Sequence, residues 1–329
     1  MGKNPVAPDK KREGGQRLPE PIRNGYGHGL LKAGREREEI VALDADLAGS
    51  TRSQWFGEEF PDRFYQMGIS EQDMMVTAVG MASAGKHPFA STFAIFSERA
   101  FEQVRNSVAR MDANVKIVGS HGGVLTGQDG SSAQCIEDLA VYRAIPNMTV
   151  LCPSDVVESE AATLALAEYE GPAYMRTTRR KTPIHHDEDT TFEIGEGEIL
   201  REGEDVALVG TGSMTGRAMQ AAERLEAKGV SALVANMPTI KPIDRDLVAE
   251  ISQRTGHVVT CEDHNVIGAL GSAVAEALAE TRPAKMARVG IDDHFGRSGT
   301  PDKLYEAFGL TPDHIVEEAE RLVGNRVRA

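Results

Sequence analysis

The sequence predicts two α/β domains built on mostly parallel sheets. Short apolar runs bounded by turn residues alternate with longer stretches of helical period. This alternation is interrupted once, by the polar stretch Arg180–Gly203, and then resumes. Aromatics make up only 5% of the chain while glycine (33 residues) and alanine are plentiful, a composition suited to close-packed α/β layers rather than to an aromatic-rich β-sandwich. At 329 residues the chain is long enough for two ordinary cores.

Residues 1–20 read as a flexible polar tail. Lys10, Lys11 and Arg12 are not followed by an apolar segment, so the start is not a signal peptide. Met1-Gly2 is not a myristoylation signal either, because Val6 stands where that motif needs a hydroxyl residue. A first domain is expected over 21–190. Its apolar runs Ile40–Leu43, Val115–Val118, Thr149–Cys152 and Ala173–Met175 read as buried strands, and Ser70–Ala84, Phe96–Asp112, Ile136–Ala144 and Asp155–Glu168 as helices. Strand and helix in alternation imply a parallel sheet covered on both faces.

A linker is expected over 191–204, inside the polar stretch. That stretch contains His185-His186-Asp187-Glu188-Asp189, which lacks further ligands at metal-binding spacing and reads as solvated chain. The second domain, 205–329, alternates again: strand Val206–Val209, helix Ser213–Lys228, strand Ala232–Val234, helix Ile243–Ser252, strand Val258–Cys261, helix Gly268–Leu278 and strand Ala287–Val289. Within it, Val206–Gly216 runs from a strand through Gly210-Thr211-Gly212 into a helix. The glycine spacing misses a dinucleotide fingerprint by one, and Asn236 ends the next strand where an acid would hold a ribose, so a tight strand-to-helix turn is expected.

Charge excludes two classes of partner. The net charge of -14 and a pI near 5.2 disfavour nucleic acid and anionic membrane surfaces. An anionic substrate would need a local basic pocket. Cys135, Cys152 and Cys261 have no Cys-x-x-Cys spacing, which fits a reducing, cytoplasmic setting without a disulfide framework. No apolar run approaches the roughly 20 residues of a membrane span.

The segment Gly68-Ile69-Ser70-Glu71-Gln72-Asp73-Met74 carries the most chemistry. Ser70 and Asp73 have capping-box spacing, so Ser70 is expected to cap a helix that Glu71 opens. The following Met74–Ala82 is small or apolar almost all round, which predicts burial on every side, in a core or at a subunit interface. A carboxylate at the mouth of such a helix needs a partner, and a protonated ring nitrogen of a cofactor is one. Farther on, Gly119, Gly122, Gly123, Gly127 and Gly130 mark a loop where backbone can approach a ligand closely.

An ordered set of motifs links these residues. It runs through Leu43-Asp44-Ala45-Asp46-Leu47, Phe60-Pro61-Asp62-Arg63-Phe64, the Glu71 segment and Ser91-Thr92-Phe93-Ala94-Ile95-Phe96. It continues through Gly119-Ser120-His121-Gly122-Gly123, Gly127-Gln128-Asp129-Gly130, Cys152-Pro153-Ser154-Asp155, Arg176-Thr177-Thr178-Arg179 and Glu262-Asp263-His264. From Arg23 to about Val323 the chain resembles the C-terminal two-thirds of a transketolase, a pyrimidine-binding domain followed by the C-terminal domain. The resemblance implies thiamine diphosphate with Mg2+ as cofactors and two-carbon ketol transfer from a ketose phosphate to an aldose. It implies that Glu71 hydrogen-bonds the cofactor's aminopyrimidine and sets its protonation, and that Phe93, Phe96 and Arg99 line the pyrimidine. It implies further that His121 acts in catalysis and, with Asp129, bonds the substrate, and that Arg23, Ser50 and Arg179 grip a sugar phosphate. No residue of this chain is implied as a metal ligand.

Two departures from the family pattern matter. Ala133 stands where the family usually has a substrate-facing histidine, which leaves the identities of donor and acceptor open. The Gly-Asp-Gly stretch that serves the family's diphosphate and metal is absent from the sequence. The expectation is a split enzyme, in which a separate N-terminal, diphosphate-binding subunit completes the site in an α2β2 heterotetramer. The alternatives are the beta subunit of a 2-oxoacid dehydrogenase and a non-catalytic regulatory paralogue. Gly-Gln-Asp-Gly and Arg179 favour transketolase over the dehydrogenase, and the joint presence of Glu71, His121 and Asp129 argues against a silent paralogue.

Overall fold

The structure is a computed structural model that describes residues 10, 12–13 and 16–324. The chain divides into two compact units. One comprises the residues up to Gly122 together with Ile145–Ile194; the other comprises Gly123–Ala144 together with the residues from Gly195 onward.

In the first unit six strands, β1 (Ile40–Asp44), β2 (Phe64–Gln66), β3 (His87–Phe93), β4 (Lys116–Ser120), β5 (Thr149–Leu151) and β6 (Ala173–Arg176), lie in the order β5-β6-β4-β3-β1-β2. All of these pairings are parallel. Ile-Val-Ala-Leu-Asp of β1 is buried at every position, as expected of a strand covered on both faces. Helices α1 (Ile22–Glu36), α2 (Ser53–Glu59), α3 (Glu71–Ser83) and α5 (Val156–Glu168) belong to this unit. Tyr26, Leu30, Phe56, Phe89, Val118 and Leu166 are among its core residues.

Helix α1 contains Gly25, Gly27, Gly29 and Gly34, each of which weakens an isolated helix by about 1 kcal/mol relative to alanine. Packing explains them. A Cβ on Gly25 would lie 2.2 Å from the Val156 carbonyl oxygen, and one on Gly29 would lie 2.7 Å from Thr163 Cβ, so the backbones of α1 and α5 meet where side chains would not fit. The start of α5 is fixed by Asp155, whose Oδ1 accepts the amides of Val157 and Glu158, each at 2.9 Å.

The second unit holds strands β7 (Glu198–Arg201), β8 (Val206–Gly210), β9 (Ala232–Asn236), β10 (His257–Asn265) and β11 (Lys285–Ile291) in the order β11-β10-β8-β9-β7. β7 is antiparallel to β9 and the other neighbours are parallel. Helices α4 (Asp138–Ala144), α6 (Met214–Glu226), α7 (Arg245–Thr255), α8 (Leu270–Glu280), α9 (Pro301–Ala307) and α10 (Pro312–Val323) accompany them. The turn after β8 is tight, since a Cβ on Gly210 would lie 2.6 Å from Thr215 Cα.

Several expectations are corrected. Ser70 does not cap α3; its hydroxyl donates to the Met67 carbonyl at 2.7 Å instead. Within the single chain α3 is buried on one face, with Met74, Met75, Ala78 and Val79 towards the core, while Val76 is 41% exposed and Gly80 lies open; of the two settings expected for it, a subunit interface stays an expectation. The helix expected over Phe96–Asp112 is broken into short α, 3-10 and π turns. Most of the expected tail (1–9, 11, 14 and 15) lies outside the described residues, yet Arg17 and Glu20 are buried. Arg17 is held by Glu160 at 2.7 Å and Glu20 at 3.3 Å. His186, expected to be solvated, is buried with Nδ1 2.7 Å from Asp155 Oδ2. Residues 123–144 lie in sequence inside the first domain expected over 21–190 and cluster in space with the second unit, whose core includes Val124, Leu125 and Ile136.

Candidate active site

The candidate residues of the first unit gather at the carboxyl ends of its parallel strands, the edge where α/β sheets bind ligands. Glu71 is the first residue of α3, 4% exposed, and the guanidinium of Arg99 stands 3.8 Å from its Oε2. Gln72 donates to the Arg99 carbonyl at 3.1 Å and so ties the head of α3 to the turn after β3. Phe93 ends β3 and Phe96 lies in the turn that follows. Their rings are within 4° of parallel, centroids 5.7 Å apart, and Arg99 lies over Phe96 at 5.1 Å.

His121 follows β4 in a left-handed backbone conformation (φ 63°), uncommon for a residue with a β-carbon. Its imidazole stacks on Phe93 at 3.9 Å, Nδ1 pairs with the Ser120 hydroxyl at 2.9 Å, and Nε2 lies 3.4 Å from Arg23 Nη1. Burial, then the charges of Arg23, Arg179 and Arg52, push His121 down to about 3. The ring is therefore neutral at physiological pH.

Arg23, in the first turn of α1, donates Nη1 to the Ser50 carbonyl at 2.8 Å and its backbone N–H to Thr178 O at 3.2 Å. Its Nε is buried without a hydrogen-bond partner. Burial and the nearby Arg52 and Arg179 lower Arg23 to about 10. Ser50 and Arg52 sit on a turn organised by Asp44 at the end of β1. That carboxylate is fully buried and accepts from Thr51 Oγ1 and Ser53 Oγ, each at 2.8 Å, and from the Leu47 amide at 2.6 Å. Burial outweighs these bonds and raises the Asp44 carboxyl above its usual range.

Phe96, Phe93, His121, Arg23 and Ser50 thus form one continuous series of contacts beside the buried Glu71 carboxylate, with Arg179 adding charge at its cationic end. Asp129 belongs to the second unit. It lies exposed on a loop that starts at Gly123 (φ 77°) and ends at Gly130 (φ 82°). Val124 N–H donates to Asp263 Oδ1 at 2.9 Å, Tyr305 O–H donates to Asp263 Oδ2 at 3.1 Å, and Gln134 Nε2 donates to the carbonyls of Gly127 and Arg297, each at 2.9 Å. Asp44, Arg52 and the Asp263–Tyr305 pair escaped the sequence reading as site residues. Asp44 and Asp263 lay within quoted motifs, but Arg52 carried no signal beyond a lone arginine.

Comparison with known proteins decides the family. The transketolase pyrimidine-binding domain matches residues 21–184 and the transketolase C-terminal domain matches residues 195–315. The chain belongs to the transketolase family. A Methanocaldococcus jannaschii protein described as a transketolase C-terminal section is 46% identical over 90% of this chain and 94% of its own length. A 6-deoxy-6-sulfo-D-fructose transketolase subunit from Clostridium sp. (strain MSTE9) is 40% identical over 92% of this chain and 94% of its own. Among solved structures, a split-gene transketolase described as an inactive beta4 tetramer aligns with a TM-score of 0.86 at 44% identity, covering 93% of this chain and 99% of that one. These matches favour a C-terminal transketolase section over the dehydrogenase and regulatory alternatives.

Proposed function

We propose that this chain is the catalytic C-terminal subunit of a split, thiamine-diphosphate-dependent transketolase, transferring a two-carbon ketol unit from a ketose phosphate to an aldose. The observation that carries the reading is the Glu71 carboxylate: buried at the head of α3, with its charged neighbour Arg99 standing off at 3.8 Å and lying over Phe96, whose ring is parallel to that of Phe93. A buried carboxylate so weakly paired suits a ligand that brings its own protonated nitrogen.

The residues fit the cofactor's pyrimidine. Glu71 would accept from its ring nitrogen and hold the proton there, Phe93 and Phe96 would offer flat apolar surface, and Arg99 would close the rim. When bound, thiamine diphosphate supplies the nucleophilic carbon of the reaction. The neutral His121 can exchange a hydrogen bond with a substrate hydroxyl or carbonyl without adding charge, and Arg23, the Ser50 turn and Arg179 would hold the phosphate. Asp129 would bond the substrate, as the family resemblance implies. The diphosphate and Mg2+ fall to an N-terminal partner subunit in an α2β2 assembly in the cytoplasm. This division is supported by the two matched domains and by the relatives' descriptions as a section, a subunit and a split gene product. The sulfonate named for the Clostridium relative shares an anionic terminus with a sugar phosphate, so both agree with the cationic end of the site.

Co-expression with a candidate N-terminal subunit, followed by assays of two-carbon transfer across aldose acceptors, tests the reading. Transfer from a ketose phosphate that collapses in Glu71→Gln is the expected result. Turnover of pyruvate with an electron acceptor instead, or full activity in Glu71→Ala, would overturn it. Tight binding of cofactor and magnesium by the chain alone would remove the case for a split site.

A further inference from the structure

We propose that Arg52 is a third anion-binding arginine of the first unit, fitting the site to a tetrahedral oxyanion at the far end of the substrate. The inference rests on the transketolase reading above and adds a residue that the family motifs do not supply.

The backbone gives the first reason. Arg52 joins the Ala48–Thr51 turn to α2 at φ 80° and ψ 3°, the left-handed region that glycine or asparagine occupies with least strain. An arginine kept in such a conformation points to a use for its side chain.

The side chain gives the second. Arg52 Nε donates to Asn24 Oδ1 at 2.8 Å and Nη1 donates to the Gly49 carbonyl at 2.6 Å, while the guanidinium lies 5.4 Å from the centre of the Trp55 ring. These are neutral supports. Asn24 stands between Arg52 and the nearest acid in this chain of bonds, donating to Glu20 Oε2 at 2.8 Å. Among the described residues, neither Arg52 nor Arg23 has a carboxylate within ion-pair distance. The head group is therefore oriented on both sides by neutral partners; Glu20 acts on its charge only from beyond Asn24, without an ion pair.

Its neighbours give the third. Arg23 holds the Ser50 carbonyl and Arg52 the adjoining Gly49 carbonyl, so two guanidinia are anchored to consecutive peptides of one turn. Arg23 Nε is buried and still without an acceptor. The charge of Arg52 bears on both Arg23 and His121, as does that of Arg179. Like charges gathered in a half-buried site repel one another, and an anion entering among them relieves that repulsion. A tetrahedral oxyanion has three oxygens to share among three guanidinia, where a carboxylate has two. In a chain of net charge -14, only such a local cluster can retain an anion. A phosphate ester and a sulfonate share this geometry and differ in charge.

The test uses the complex reconstituted with the N-terminal subunit. Arg52→Gln should raise KM for fructose 6-phosphate roughly 10- to 100-fold, the range for loss of a charged hydrogen bond, and leave turnover of the uncharged donor L-erythrulose within about twofold. Arg52→Lys should recover part of the loss. Inorganic phosphate and methanesulfonate as competing anions separate the sources: a larger loss of inhibition by phosphate assigns the site to a phosphate ester, and an equal loss assigns it to either oxyanion. Independently of activity, the thermal stabilisation of the chain alone by millimolar phosphate should shrink in Arg52→Gln. If Arg52→Gln leaves the phosphate KM and the stabilisation unchanged while Arg23→Gln and Arg179→Gln lose both, Arg52 has no part and the transketolase reading stands. Equal damage with L-erythrulose would make Arg52 a structural residue and likewise overturn the proposal. If all three variants behave as the parent, the phosphate grip of the proposed function itself falls.

Discussion

The imidazole of His121 lies on the ring of Phe93, centroids 3.9 Å apart and planes 23° from parallel. The aromatic surface proposed for the cofactor and the polar group proposed for the substrate are therefore one stack, anchored at the ends of neighbouring strands β3 and β4. Displacing either ring disturbs the other.

Stability should reflect the environment of His121. Its folded-state value is lowered to about 3 from an ordinary 6.5. Between those values the unfolded chain binds the extra proton, so this residue makes stability fall as pH drops from about 6.5 towards 3 and contributes no such loss above that window. Urea unfolding of the parent and His121→Asn across that range should show the variant losing less stability on acidification. Parallel curves would mean that the imidazole is not held neutral.

Glu71→Gln keeps the shape of the side chain and removes its ability to hold a proton on a bound ring. Activity of the complex should drop by at least a hundredfold, within the range for a lost acid–base group. The melting temperature of the chain should change little, and circular dichroism melts checked against kcat separate the two effects.

Asp155 caps α5 and is bonded to His186, with Glu158 raised to about 7 by its own burial beside them. Asp155→Ala removes a helix cap and leaves a buried histidine without that carboxylate. We expect a loss of about 3 kcal/mol in urea unfolding. Asp155→Asn, which can still cap, should lose less.

Two glycines in helices should respond with opposite sign. Gly25→Ala drives a methyl group into the Val156 carbonyl and should destabilise by about 1–3 kcal/mol despite better helix propensity. Gly80→Ala, with nothing within 4 Å of the new atom, should stabilise the isolated chain by up to about 1 kcal/mol. Thermal melts of both variants decide this, and a common sign would show that propensity alone rules.

Tyr305→Phe removes the hydroxyl that donates to Asp263 Oδ2, while Val124 keeps its bond to Oδ1. Amides of residues 123–130 should exchange with deuterium faster in the variant, and those of β8 should not. Uniform behaviour across both segments would separate the loop from this clamp.

Much of the architecture was legible because periodicity reports burial. Ile40–Leu43 could be little other than a covered strand, and Asp155 announced the start of α5. α1 was missed because its glycines argue against a helix locally and are explained only by what packs on them, α5 against Gly25 and Gly29 and the α2 region against Gly27 and Gly34. β3 was missed because Pro88, Ser91 and Thr92 interrupt its apolar character, although residues 88–92 are buried. At the site, motif order singled out Glu71, Phe93, His121, Arg23 and Arg179. Arg52 stayed invisible because its significance lies in a backbone angle and in bonds to Asn24 and Gly49, neither of which a residue type discloses. Ser70 misled for a related reason: capping-box spacing does not say which way a hydroxyl turns.

The Gly123–Gly130 loop takes its footing from β10, α9 and the 296–298 segment, all encoded far downstream of it. Drift in Tyr305 of α9 or in the 296–298 segment can retune how Asp129 is presented while every motif residue stays unchanged. A chimera joined at the Ile194–Gly195 junction would set the native loop on foreign foundations. Recombination that respects this ownership should carry residues 123–144 along with the C-terminal half.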